Sequence, residues 1–255
     1  AMNALSSVMN TYIGKGERFE VPLEGTENWD SQYNKTDYAT GAEAKAAGIA
    51  AANEVVDEGV ILLKNDGVLP LAKQSTVVPF GYRYIEPVLG QSSSGGAAKW
   101  ILDSERTLPE AGLTDFVINT SAADRMVGEP AGLAEAPGTS TAGDTDSPLG
   151  GNSYIYEYPA SIYDGLTAIP NSTALVFVGR YGQENQDKKC DAYEDGTPHY
   201  LALSQNEKDT IAKAKELCTN VVLVLQTAGA MELAPVMAGD LEVGAILMMG
   251  QVGQE

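Results

Sequence analysis

The sequence predicts an α/β fold: a mainly parallel sheet with helices on both faces, an αβα sandwich. Two observations carry this. "ALVFVG" (174–179), "NVVLVLQ" (220–226) and "VGAILMMG" (243–250) are short, continuous apolar runs, as expected of strands covered on both faces. Between the first two lies "SQNEKDTIAKAKELC", a helix signal, and strands alternating with helices imply parallel pairing.

Taken in order, residues 1–40 are polar and aperiodic and are read as an arm, with Trp29 and Tyr33 as candidate anchors. "GAEAKAAGIAAANEVVDEGVILLKN" (41–65) is rich in helix formers, and Ile49, Ala52, Val56 and Val60 predict one apolar face. "NDGVLPL" ends it with turn chemistry. "TVVPFGY" (76–82) predicts a strand that Pro79 places at an edge or a bulge. "GGAAKWILDSERTLPEAG" predicts a helix ending near Gly112, and "DFVIN" a short strand. Residues 127–153 are low in complexity and predict a long flexible loop. The helix opening at Ser204 carries Glu207 three residues on, a capping box, and Ile211, Ala214 and Leu217 form its apolar face. The organisation is therefore an arm over 1–40 and one domain over 41–255.

The chain has 255 residues, 44% of them hydrophobic, enough for a sizeable core. Its 35 acids against 16 bases give a formal net charge of −19, which argues against nucleic acid and against an anionic membrane surface. Cys190 and Cys218 make neither a disulfide framework nor a zinc pattern.

Three chemistries have candidate residues in the sequence. "GQSSSGGAAK" (90–99) has the Gly90-x4-Gly95 spacing of a phosphate loop. Gly96 stands where a lysine must reach the phosphates and Ala97 where a hydroxyl must hold magnesium, so the loop suits a turn or another ligand. Nucleophilic catalysis would have to use His199, the single histidine, and no Gly-x-Ser-x-Gly elbow accompanies it. Carboxylate acid–base chemistry points to "RYGQENQD", which follows "ALVFVG" directly, because ligands gather at the carboxyl ends of parallel strands. One carboxylate, Glu184, is not a catalytic pair, and on spacing alone a solvated loop serves as well.

Several segments resemble glycoside hydrolase family 3. "VVDEGVILLKNDGVLPL" (55–71) resembles the opening of that family's second domain, and "VVPFGYRYIEPVLGQSSSGG" its strand and glycine-rich loop, with Gln91 and Ser94 where glycines are common. "YEYPASIYDGL", "VVLVLQTAGAMEL" and "VGAILMMGQVGQE" follow in the family's order. The resemblance implies a retaining β-glycosidase, of β-glucosidase type, acting on a β-glucoside or oligosaccharide without a cofactor or metal. Aligned on the family's Arg-x-Ser-Gly-Glu-Gly-x-Asp, Arg180, Glu184 and Asp187 match, and Gly182, Gln183 and Asn185 depart. It implies Glu184 as general acid/base, with Arg180, Asp187, Ser92, Ser93 and Ser94 binding substrate.

The family's nucleophile sits on a separate (β/α)8 barrel, which 255 residues leave no room for. Resemblance to the subgroup with reversed domain order implies that the barrel follows, that this domain's last helix and strand lie beyond Glu255, and that the fragment alone is inactive. It also implies a membrane-anchoring segment upstream and an extracytoplasmic enzyme. The alternative is a non-catalytic α/β module, carbohydrate-binding or receiver-like.

Overall fold

The computed structural model describes residues 38, 40–88, 112–127, 155–182, 188–227 and 229–251. The chain divides into two units, Ala1–Asn53 and Glu54–Glu255. Of the first, the described part is the start of helix α1 (Gly41–Gly59), where Thr40 Oγ1 accepts the Glu43 N–H at 3.2 Å. None of the residues of α1 is buried, so its predicted apolar face contributes nothing to the described core.

The predicted helix over 41–65 runs too long. It stops at Gly59, and Ile61–Asn65 form strand β1. Glycine is costly inside a helix, and a chain freed there pairs instead with another strand. The remaining elements of the second unit are β2 (Thr76–Phe80), the short helix α2 (Tyr82–Ile85), β3 (Val117–Ile118), β4 (Ile169–Arg180), α3 (Gln205–Leu217), β5 (Cys218–Thr227), the short helix α4 (Ala234–Met237) and β6 (Ala245–Met248), with 3-10 turns at Ala123–Arg125 and Ala160–Tyr163. "GGAAKWILDSERTLPEAG" before Gly112, Trp29, Tyr33 and all but Val127 of the loop predicted over 127–153 lie outside the described residues.

The sheet runs β1-β6-β5-β4-β2-β3. Five strands are parallel, and β1 pairs antiparallel with β6, Leu62 opposite Leu247 and Asn65 opposite Ala245. The fold class is thus as predicted, with one antiparallel edge added. Asn65 turns the chain out of β1: its Oδ1 accepts from Gly67 N at 3.1 Å and Leu69 N at 3.0 Å, and its Nδ2 donates to Leu69 O at 2.8 Å. Pro79 sits in β2 opposite Leu175 of β4, and β3 pairs only with Thr76 and Val77. The Val117 and Asn119 N–H groups donate to the Ser75 and Val77 carbonyls. That flank of β2 therefore takes its odd-numbered residues, and β3 has ended before Pro79, where a missing N–H costs no ladder bond.

Every β4 residue from Ser172 to Arg180 is buried, so the centre of the sheet is covered on both faces. The core joins Val77, Val78 and Phe80 to Val176, Val178, Val222, Leu223, Leu225 and Ile246. Helix α3 buries Ile211, Ala214 and Leu217, its predicted face. Its predicted capping box is present: Ser204 Oγ accepts from Glu207 N at 3.2 Å and Glu207 Oε2 accepts from Ser204 N at 2.8 Å.

Candidate functional site

Strand order turns back between β2 and β4: from β2 the chain goes outward to β3, then returns to β4 on the other flank. The crevice at the carboxyl ends of two such strands is where parallel α/β sheets collect ligands. Here those ends are Gly81-Tyr82-Arg83 and Gly179-Arg180-Tyr181-Gly182.

Two glycines make this junction possible. Gly81 has φ +91°, and a Cβ there would collide with the Phe177 carbonyl oxygen and lie 3.3 Å from Glu157 Oε2. Gly179 lets the segment after β2 rest directly on β4, because a Cβ would strike Val88 Cγ2 and come within 3.1 Å of Arg83 Cγ.

Arg180 ends β4 fully buried and uses all five of its N–H donors. Nε donates to Tyr200 O at 2.6 Å, Nη1 to Gly179 O at 2.9 Å and Glu207 Oε1 at 2.6 Å, and Nη2 to Ala202 O at 2.7 Å and Glu207 Oε2 at 2.7 Å. Burial opposes the charge, but the Glu207 carboxylate more than offsets it and raises the pKa of the guanidinium. Arg180, expected among the substrate-binding residues, has no donor left for a substrate. It ties the end of β4 to the N-terminus of α3.

Tyr200 holds both sides of the loop that follows. Its hydroxyl accepts from Tyr181 N at 2.8 Å and donates to Tyr181 O at 3.3 Å, while its own N–H donates to Lys189 O at 3.0 Å. The Lys188 ammonium stands 5.3 Å from the Tyr200 ring centroid, and burial lowers its pKa. Gln251 Nε2 adds a bond to Gly182 O at 3.2 Å. The chain leaving at Gly182 and returning at Lys188 is thus anchored at both ends. Glu184 and Asp187 belong to the five residues between and lie outside the described residues, as do Ser92, Ser93 and Ser94.

Two further charged residues here were not singled out in the sequence. Glu157 is buried, with Oε1 accepting from Tyr158 N at 2.8 Å and Tyr82 N at 3.1 Å. Burial pushes its pKa up to about 8, the two backbone N–H bonds notwithstanding, and the negative charge of Glu207 adds to the rise. Arg83 is 1% exposed, its guanidinium carbon 5.0 Å from the Tyr181 ring centroid, 5.3 Å from Tyr82 and 5.4 Å from Tyr156. The available signals were an arginine three residues past a strand end and an acid inside the tyrosine-rich "YIYEY".

His199 pairs with an acid: its Nε2 is 3.2 Å from Glu232 Oε2, and both side chains are partly exposed. Among the described residues, no three His, Cys, Asp or Glu side chains cluster as metal ligands. Two surface hollows lie away from the crevice. One is at the amino end of β5, around Lys215, Cys218 and Asn220, and the other is beside Ser161, Asp164 and Lys213.

Residues 60–255 match the family model described as the glycosyl hydrolase family 3 C-terminal domain. A β-glucosidase of Ruminococcus albus is 28% identical over 188 residues, which are 71% of this chain and 18% of the relative. Of solved structures, a β-glucosidase from Paenibacillus barengoltzii superposes with a TM-score of 0.55 at 18% identity, over 79% of this chain and 21% of that one. β-Glucosidase 3B from Thermotoga neapolitana, in complex with α-D-glucose, gives 0.50 at 22% identity, over 81% and 27%. These structural likenesses concern the fold. The chain spans roughly a fifth of the length of the relatives it matches.

Proposed function

The chain belongs to glycosyl hydrolase family 3, and we propose on that premise that it is the sugar-site domain of a retaining β-glucosidase-type enzyme in which Glu184 is the general acid/base. The observation that supports this reading most is the mounting of the loop. Both of its stems are bonded to Tyr200, and Arg180 with Glu207 locks the end of the strand that carries it. A proton donor must be held against the leaving oxygen within a few tenths of an ångström, and a short loop clamped at both ends does that better than a free one.

In this mechanism a carboxylate nucleophile attacks the anomeric carbon while Glu184 protonates the departing oxygen. Glu184 then takes a proton from the water that releases the sugar. The two carboxyl groups of such a pair stand about 5–5.5 Å apart. The nucleophile is assigned to a (β/α)8 barrel elsewhere in the full-length polypeptide, following this domain in the chain. Asp187, Ser92, Ser93 and Ser94 are assigned to the sugar hydroxyls, whereas Arg180 is reassigned as a positioning residue. An acid must keep its proton near neutral pH, which an uncompensated cation beside it would oppose. The charge of Arg180 is neutralised by Glu207, and that of Lys188 faces the Tyr200 ring.

The test is turnover of an activated aryl β-glucoside by the full-length enzyme carrying Glu184→Ala, with and without azide. Loss of glucose release with recovery as glycosyl azide is expected. Wild-type rates in the variant would assign Glu184 to a solvated loop.

A further inference from the structure

Among the described residues, Arg83 is the buried cation that the proposed mechanism leaves unused. Its Nη1 donates to Glu86 O at 3.2 Å, while Nε and Nη2 are buried with no hydrogen-bond partner among the described residues. Nε and Nη2 share one edge of the guanidinium plane, and their N–H bonds run parallel along it. That edge is the fork that grips both oxygens of a carboxylate. The acid close at hand does not fill it, since Glu157 accepts from the backbone N–H groups of Tyr82 and Tyr158. A buried guanidinium with a bare fork is costly, and such groups persist where they are used. The rings of Tyr82, Tyr156 and Tyr181 surround the cation, each of them half-buried, at the carboxyl ends of β2 and β4.

We infer that Arg83 is a carboxylate-binding residue and that the ligand of this crevice is an acidic sugar of the uronate class, its carboxylate seated bidentate on Nε and Nη2 and its ring against the tyrosines. The carboxylate part stands on Arg83 alone, and the sugar part rests on the glycosidase reading. The three rings stand around the buried guanidinium, so entry swings one of them aside. Tyr181 is placed for this, one residue beyond β4 at the stem of the anchored loop. Arg83 is here a binding residue and takes no proton, so its loss acts on affinity for the charged ligand and spares the neutral one.

The experiment titrates the full-length protein with glucuronate, glucose and acetate by calorimetry and by tyrosine difference absorbance, in the wild type and in Arg83→Lys. Lysine keeps the charge and loses the fork. Glucuronate is expected to bind at least tenfold more tightly than glucose and to perturb the tyrosine spectrum. Arg83→Lys is expected to weaken glucuronate at least tenfold and to leave glucose unchanged. Should Arg83→Lys fail to fold, as judged by circular dichroism, Arg83→Gln serves with the same expectation. Acetate binding as tightly as glucuronate would keep the carboxylate site and overturn its sugar part. No saturable binding of either carboxylate, or glucuronate binding unaffected by the substitution, would overturn the inference. A failure of Glu184 as acid/base shows in azide rescue and leaves these titrations untouched.

Discussion

Two buried arginines stand near two buried glutamates at the same end of the sheet, and they are wired in opposite ways. Arg180 and Glu207 face each other through two bonds of 2.6 and 2.7 Å, and the three remaining donors of the arginine go to backbone carbonyls. Arg83 and Glu157 decline each other. The glutamate takes backbone N–H groups, and the arginine keeps a fork bare within a ring of tyrosines. The first arrangement is closed and serves as frame. The second holds a cation with two nitrogens, Nε and Nη2, unsatisfied and an acid that burial keeps protonated at neutral pH, which is the usual condition of groups kept for binding or proton chemistry rather than for stability.

The comparison can be broken at the frame with the largest effect. Glu207→Ala strands a buried guanidinium and removes half of the capping box, and is expected to cost about 3–5 kcal/mol in denaturant unfolding. The double substitution Arg180→Met with Glu207→Leu removes both charges together and is expected to recover most of that loss. An additive double mutant would show that Arg180 is held by its backbone carbonyls alone.

Gly81→Ala attacks the junction that both clusters share. A side chain at φ +91° against the Phe177 carbonyl is expected to cost about 2–3 kcal/mol. An unchanged melting midpoint would contradict the close approach of the two strand ends.

Glu157 sharpens the contrast through pH. Its folded pKa of about 8 lies above the ordinary 4.5, so the folded state keeps a proton that the unfolded chain releases. The stability it contributes is full below pH 4.5 and is lost as pH rises through 8, at up to about 1.4 kcal/mol per pH unit. Glu157→Gln, which imitates the protonated acid, is expected to flatten that decline. The same slope in wild type and variant would mean that the carboxyl is ionised in the folded protein. The smallest effect belongs to Ser204→Ala, which removes one cap bond and is expected to cost about 1 kcal/mol.

What the sequence disclosed follows from how local each signal was. The capping box at Ser204 and Glu207, the buried face of α3 and the three apolar strands rest on spacings within a dozen residues, and all are present. Strand β1 was hidden because "ILLKN" extends a run of helix formers, and its partner β6 is at least 180 residues away. The same distance effect hid the function of Arg180. Glu207 was accounted for as a helix cap, and nothing local reveals that its carboxylate also receives an arginine 27 residues earlier. Arg83 and Glu157 meet the crevice only because Gly81 and Gly179 allow two strand ends to touch, a condition that tertiary packing sets. Of the residues expected at the site, Arg180 is the one the described structure places, and it serves the frame.

The measurement that bears most directly on the glycosidase reading is the dependence of rate on the leaving group in the full-length enzyme carrying Glu184→Ala. A general acid matters most when the departing oxygen is a poor leaving group. A phenyl β-glucoside should therefore lose turnover by a factor of about 100 or more, while glycosylation by a dinitrophenyl β-glucoside should stay near the wild-type rate. An equal loss for both substrates, or no loss for either, would contradict Glu184 as the proton donor.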